Sequence, residues 1–277
     1  MTVAAIELRD VSRHYRGKGS WFLKAEPVRA VDGVDIALNE GETLGIVGES
    51  GSGKSTLGRI AAGIEAPSSG HVSFRGAPYA PIGSALWRRQ RRNVQVVFQN
   101  PSQALDPRLS IAAQIRQPMT AHGIEAGDDT VAEMLARVGL AGLGNRFPHQ
   151  LSGGQLQRAV IARALALSPD VIVCDEAVSA LDVSVQAQIL NLLQDLQAEF
   201  GVAYLFISHD LGVVRHVSHR IAVMRHGRIV ETGPAAVVFA QPQDHYTRSL
   251  IAALPAASPA ARRARDGRQS ASLSKVR

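Results

Sequence analysis

Residues 48–56 read Gly48-Glu49-Ser50-Gly51-Ser52-Gly53-Lys54-Ser55-Thr56, which fits the phosphate-cradling pattern G-x-x-x-x-G-K-[ST]. Glycine at 48, 51 and 53, with Ser50 and Ser52 between them, lets the backbone curl so that several N–H groups face one anion. A helix leaving the loop at Lys54 would add the positive end of its dipole. Lys54 is placed to reach the terminal phosphates of a nucleotide, and the Ser55 hydroxyl, with Thr56 beside it, to ligate Mg²⁺. Further along, the apolar run Val171-Ile172-Val173-Cys174 ends in Asp175 and Glu176. An aspartate at that place can hold Mg²⁺ directly or through water, and the glutamate after it can orient or deprotonate an attacking water. By itself the loop indicates a nucleotide and leaves its use open.

These side chains need strands and helices to aim them. Leu44-Gly45-Ile46-Val47 reads as a short buried strand entering the loop, and Leu57 through Ala62 as the helix leaving it. Upstream, Ile6 to Val11 alternates, His14-Tyr15 follows, residues 17–29 (with Trp21 and Phe22) lack periodicity, and Ala30 to Leu38 alternates again. The chain therefore begins with antiparallel strands that feed a parallel one. After the turn Pro67-Ser68-Ser69-Gly70, His71 to Phe74 reads as a strand edge. Arg88, Arg89, Arg91 and Arg92 read as a solvated basic face, and Asn93 to Phe98 as a buried strand ending at Gln99. From Asn100 to about Leu165 the pattern is helical with Gly and Pro breaks, for example Val131, Met134, Leu135 and Val138 at 3–4 spacing. Leu151-Ser152-Gly153-Gly154-Gln155 opens a helix within it. Ser184 to Phe200 carries one apolar stripe (Val185, Ile189, Leu192, Leu193, Leu196, Phe200), and Val202 to Ser208 is another buried strand, ending at His209. Ile221 to Val230, folded about His226-Gly227, reads as a hairpin. Strands alternating with helices predict an α/β fold with a parallel sheet.

Composition narrows the class. With 45% hydrophobic residues the chain can bury a sizeable core, yet no run of about 18 apolar residues would span a bilayer. Residues 1–10 lack the basic start and apolar core of a secretory leader, and the single cysteine, Cys174, excludes an internal disulfide. Together these point to the cytoplasm. The net charge of +6 suggests nucleic acid until it is located: residues 262–277 alone carry +5, leaving +1 for everything before them. That Ser/Ala/Arg-rich end reads first as a disordered, solvated tail and second as a segment drawn to anionic lipid or, incidentally, nucleic acid, so nucleic acid becomes an unlikely partner.

With the phosphate loop, Asp175-Glu176 and His209 in this order, Leu151-Ser152-Gly153-Gly154-Gln155 makes the chain resemble the nucleotide-binding subunit of an ABC transporter, over about residues 5–235. The resemblance implies a P-loop NTPase with a RecA-like core, an N-terminal antiparallel β-subdomain and an inserted helical subdomain at about residues 100–165. It implies ATP and Mg²⁺ as ligands, with Gln99 and Asp175 beside Ser55 at the metal. Catalysis would fall to Glu176 as general base, with His209, Lys54 and Gln99. Tyr15 matches the aromatic that stacks on adenine, and Ser179-Ala180-Leu181-Asp182 matches the D-loop, whose aspartate crosses a dimer interface. Ser152, Gly153, Gly154 and Gln155 would face the γ-phosphate held by a second ATPase subunit, the same or paralogous.

A narrower likeness is to the oligopeptide, dipeptide and nickel importer branch. It rests on Val96 to Pro101, Ala104 to Arg108, Asp175 to Gln188, and Tyr246-Thr247-Arg248-Ser249-Leu250 with Leu254-Pro255. Two departures stand out: Asp244-His245 replaces the usual His-Pro, and Ala177 replaces a common Pro. No cysteine follows Cys174, so the iron–sulfur cluster of some branch members is not expected. The resemblance implies an ATPase at the cytoplasmic face of the cell membrane, working with two permease subunits and, indirectly, an extracytoplasmic solute-binding protein. Residues 1–238 would be the ATPase domain, 239–261 an extension and 262–277 the tail. Peptide is the first substrate reading, nickel or another small solute the second. From another class, a soluble ABC protein acting on nucleic acid or the ribosome would need two cassettes or a long coiled-coil insert, and a small-molecule P-loop kinase would not carry the segment at 151–155.

Overall fold

The computed structural model describes residues 4–15 and 28–254. Most of the unpatterned stretch after Tyr15, with Trp21 and Phe22, and the basic tail lie outside the described residues. The chain starts with two long antiparallel strands, β1 (Ala4–Tyr15) and β2 (Val28–Asn39), and then enters β3 (Thr43–Val47). Helix α1 (Lys54–Ala61) leaves the phosphate loop. Strands β4 (Ser69–Phe74) and β5 (Ala77–Pro78) complete a four-stranded antiparallel sheet ordered β2-β1-β4-β5. Helix α2 (Ala85–Asn93) precedes β6 (Val94–Phe98). The helical excursion then comprises α3 (Pro101–Ala104), α4 (Ile111–Ala121), α5 (Asp128–Arg137), a 3₁₀ turn at Pro148–Gln150 and α6 (Gly153–Leu165). There follow β7 (Val171–Asp175), α7 (Val183–Phe200), β8 (Ala203–Ile207), α8 (Leu211–Val217), β9 (Arg220–Arg225), β10 (Arg228–Pro234), α9 (Ala235–Ala240) and α10 (His245–Ala252). The second sheet has the order β10-β9-β3-β8-β7-β6, parallel throughout except for β10.

Strict alternation explains why its central strands read as continuous apolar runs: both faces are covered. Leu44 and Ile46 of β3, Val171 and Val173 of β7, and Leu205 and Ile207 of β8 face a core shared with α1 and the antiparallel sheet. Ile172, Cys174, Tyr204 and Phe206 face the opposite core, built with the helical excursion, α7 and α8. Each fully buried Leu or Ile contributes roughly 1.5–3 kcal/mol, so the strands that carry the loops are held by many such side chains rather than by any contact at the loops. Because β3, β6, β7 and β8 run parallel, their C-terminal ends share one edge. Residues 48–53, Gln99, Asp175-Glu176 and His209 all emerge there, as ligand-binding loops of open α/β sheets do.

Four details depart from the sequence reading. Strand β2 begins at Val28, inside the stretch read as loop. Strand β6 lies at the sheet edge, and Phe98 at its end is 43% exposed rather than buried. Phe200 ends the stripe of α7 in solvent, with the Arg137 guanidinium 5.0 Å above its ring. Arg91 is not part of a solvated face: it is half-buried, packs on Trp87 and donates to the Ala62 carbonyl (2.5 Å). The hairpin is as expected, with His226 (φ 47°) and Gly227 (φ 81°) both left-handed, the mark of a type I′ turn.

Candidate functional site

The phosphate loop is shaped by close approach as much as by flexibility. A Cβ on Gly48 (φ 153°) would sit 2.1 Å from the Met224 carbonyl oxygen, and one on Gly53 (φ 106°) 1.9 Å from that of Ala30. Only glycine lets β9 and β2 press against the loop so closely. The hairpin turn adds a backbone bond, Gly227 N–H to the Ser52 carbonyl (2.9 Å). Gly53 serves as the left-handed N-cap of α1, whose first residue is Lys54. The buried Lys54 amine donates to the carbonyls of Gly48 (2.8 Å) and Glu49 (2.7 Å), both inside the loop. Burial pushes this amine down, while the charges of Glu176, Asp175 and Glu49 hold it up. Its side chain is almost fully removed from solvent, where attraction between its charge and a phosphate is little screened.

Ser55 stands at the first turn of α1, and its hydroxyl donates to Asp175 Oδ1 at 2.8 Å. Burial raises the Asp175 carboxyl, against the Ser55 hydrogen bond and the charge of Arg59. Two hard oxygen donors meeting beside a phosphate cradle fit Mg²⁺, which takes one or two protein oxygens and completes its shell with phosphate and water. Glu176 follows with φ 51°, a left-handed conformation that costs a non-glycine residue on the order of 1 kcal/mol and turns its carboxylate out of the strand line. Its amide is anchored on the Ile207 carbonyl (3.0 Å). Its Oε2 accepts from Gln99 Nε2 (3.1 Å), and its Oε1 lies 3.3 Å from His209 Nδ1. The same Gln99 nitrogen donates to Ser179 Oγ (3.1 Å), which in turn donates to the Glu176 carbonyl (3.0 Å). Strand ends 6, 7 and 8 therefore converge on one carboxylate. Ser179 was visible only as part of a motif; its bonds to both Gln99 and Glu176 were not.

The segment at 151–155 is organised differently. Ser152 is the N-cap of α6, and it and Gln155 form a reciprocal capping box: Gln155 N–H to Ser152 Oγ (3.3 Å) and Ser152 N–H to Gln155 Oε1 (3.0 Å). Ser152 and Gly153 are exposed. A Cβ on Gly154 would come 2.5 Å from Val185 Cγ1, so this glycine seats α6 against α7. Asp182 caps α7 by accepting from Val185 N–H (3.0 Å). Neither segment shares a described hydrogen bond with residues 48–56 of the same chain.

Tyr15, at the end of β1, is set by Glu65: its hydroxyl donates to Glu65 Oε1 (2.5 Å) and lies 3.5 Å from Thr56 Oγ1. Arg13 and Arg59 also donate to Glu65 (2.7 and 3.1 Å), and the Arg13 guanidinium covers the Tyr15 ring at 5.0 Å. Glu65 carried no motif signal. A further cleft of about 650 Å³ runs from Ser55, Asp175 and Gln99 along β6 to Arg163 of α6. No described helix is long and apolar enough to cross a membrane.

The sequence profile described as ABC transporter matches residues 31–179. A Brucella abortus protein named for peptide import ATP-binding is 48% identical over 255 residues, covering 90% of this chain and 75% of that one. The oligopeptide transport ATP-binding protein OppD of Mycobacterium tuberculosis is 49% identical over 262 residues, covering 93% of this chain and 43% of that one. Among solved structures, an ATP-binding cassette in a dimeric, post-hydrolysis state with ADP and Pi superposes with a TM-score of 0.73 at 30% identity, covering 83% of this chain and 98% of that one.

Proposed function

The chain belongs to the ABC transporter family, and on that premise we propose that it is the ATP-binding and ATP-hydrolysing subunit that energises a membrane importer of peptides. One observation carries the reading: Gln99, Glu176 and His209 meet beside the Ser55–Asp175 pair at the mouth of the phosphate loop. Lys54 and the inward-facing amides of the phosphate loop, that of Glu49 excepted, bind the β- and γ-phosphates, while Tyr15 stacks on adenine. Ser55 and Asp175, with Gln99 nearby, hold Mg²⁺, which when bound neutralises charge on the phosphate oxygens. Glu176 takes the proton of the attacking water, and Gln99 and His209 keep its carboxylate aimed. His209 also offers a donor to charge developing on the γ-phosphate.

Ser152, Gly153 and Gly154 act on the nucleotide of a second ATPase subunit, of the same or a related chain, and Asp182 crosses that interface. Closure of the two subunits is passed to two permeases at the cytoplasmic face of the membrane, and hydrolysis resets them. Residues 1–238 form the ATPase domain, with the helical subdomain at about 100–165, and 239–261 form an extension. The peptide assignment is supported by the names of the relatives and by the importer-branch motifs at 96–108 and 175–188. The test of the base is Glu176→Gln: Mg-ATP binding is retained, and turnover falls by a factor of roughly 10² or more. Wild-type turnover in that variant removes Glu176 from the role.

A further inference from the structure

The chain after β10 reaches back to the phosphate loop. Tyr246, the second residue of α10, is buried, and its hydroxyl accepts from the Glu49 amide N–H at 3.0 Å, across 197 residues of sequence. Its position is fixed from several sides. Asp244 Oδ1 caps α10 by accepting from the Tyr246 amide (2.8 Å). Glu231 of β10 accepts from the amides of Gln243 (2.8 Å) and Asp244 (3.0 Å), which moors the turn before the helix. The Arg225 guanidinium lies 4.8 Å over the Tyr246 ring. The Asp244-His245 departure therefore supplies a helix cap rather than disturbing the turn.

On the loop side, the carbonyl of Glu49 accepts from Lys54 Nζ and from Ser52 N–H (3.2 Å). Both peptide groups flanking Glu49 are thus held, one from inside the loop and one by Tyr246. An N–H spent on the phenol is not spent on phosphate; its bond instead sets the twist at the second residue of the loop, and with it the direction of the amides that follow. We propose that Tyr246 is a positioning residue of the ATP site, through which the C-terminal helix α10 sets ATP affinity. The proposal rests on residues 48–56 being that site.

Tyr246→Phe isolates the hydroxyl, since the ring and its packing under Arg225 remain. In the full-length chain, the dissociation constant for the slowly hydrolysed analogue Mg-ATPγS, measured by calorimetry, rises roughly three- to tenfold, the worth of one hydrogen bond. The KM for ATP rises by the same factor while kcat stays within about twofold, the split expected for ground-state positioning. The Glu49 amide, followed by hydrogen exchange, is protected in the wild type and loses protection in the variant. An unchanged dissociation constant in Tyr246→Phe, or a Glu49 amide already unprotected in the wild type, overturns the proposal. Failure of the wild type itself to bind Mg-ATPγS counts instead against residues 48–56 as an ATP site.

Discussion

The two glycine-rich segments of this molecule, residues 48–53 and 152–155, are finished to different degrees. The first is enclosed by its own chain. Carbonyls of β2 and β9 sit where a Cβ would be, the hairpin turn bonds to Ser52, Lys54 folds back onto Gly48 and Glu49, and Tyr246 holds the far amide. The second is finished only locally. Ser152 and Gln155 satisfy each other in a capping box, Gly154 seats the helix on Val185, and Ser152 and Gly153 face solvent. A helix N-terminus with bare N–H groups is an anion site, and this one is built to full local order without an anion partner from its own chain. The difference teaches that one fold can carry a phosphate cradle enclosed by its own chain and, separately, a helix start whose N–H groups that chain leaves open, which on the proposed function closes the cradle of a second subunit.

That contrast can be broken from either side. The largest effect is expected at Gly53. A Cβ there meets backbone rather than a movable side chain, so Gly53→Ala distorts the cradle, and calorimetry should find Mg-ATP binding lost or weakened by about 10²-fold or more. Gly154→Val should separate the halves: binding of Mg-ATP to the isolated chain stays near wild type while turnover falls at least about tenfold, because the change crowds Val185 and spoils only the outward-facing helix start. Equal loss of binding in both variants would erase the distinction.

The smallest effect concerns Glu65, which belongs to the first half alone. Burial works against its ionisation, but hydrogen bonds from Tyr15, Arg59 and Arg13 outweigh this and hold its carboxyl below the usual 4.5. A depressed carboxyl stabilises the fold above its ordinary value, and that contribution is lost as pH falls through the depressed one. Glu65→Gln should therefore lower the melting temperature by a few degrees at neutral pH, about 1 kcal/mol, with the gap closing below about pH 4.5. A gap that persists unchanged into acid would show that the hydrogen-bond geometry, not the charge, matters.

Much of this was legible in the residues themselves. The phosphate loop, the Asp175-Glu176 strand end and the hairpin at His226-Gly227 depend on local geometry, where residue type dictates backbone shape. The parallel sheet was legible because strands covered on both faces read as unbroken apolar runs. What stayed hidden depends on distance along the chain. Nothing at Tyr246 announces a bond to Glu49, and Glu65 carries no pattern that marks it as the anchor of Tyr15. Exposure was misjudged where an element ends or lies at an edge, as at Phe98 and Phe200, and the half-burial of Arg91 depends on its contact with the Ala62 carbonyl. Periodicity reports which residues share a face, and leaves open how far that face extends under its neighbours.

The central claim is that the cradle of one copy is closed by residues 152–154 of another. Light scattering on the Glu176→Gln chain at saturating Mg-ATP tests it most directly, because turnover can no longer dissolve the closed state. The account expects the mass to rise from the 29.5 kDa of one chain to that of two on adding ATP, and the rise to vanish when Gly154→Val is added to the same chain. A mass that stays at one chain under saturating ATP would contradict it.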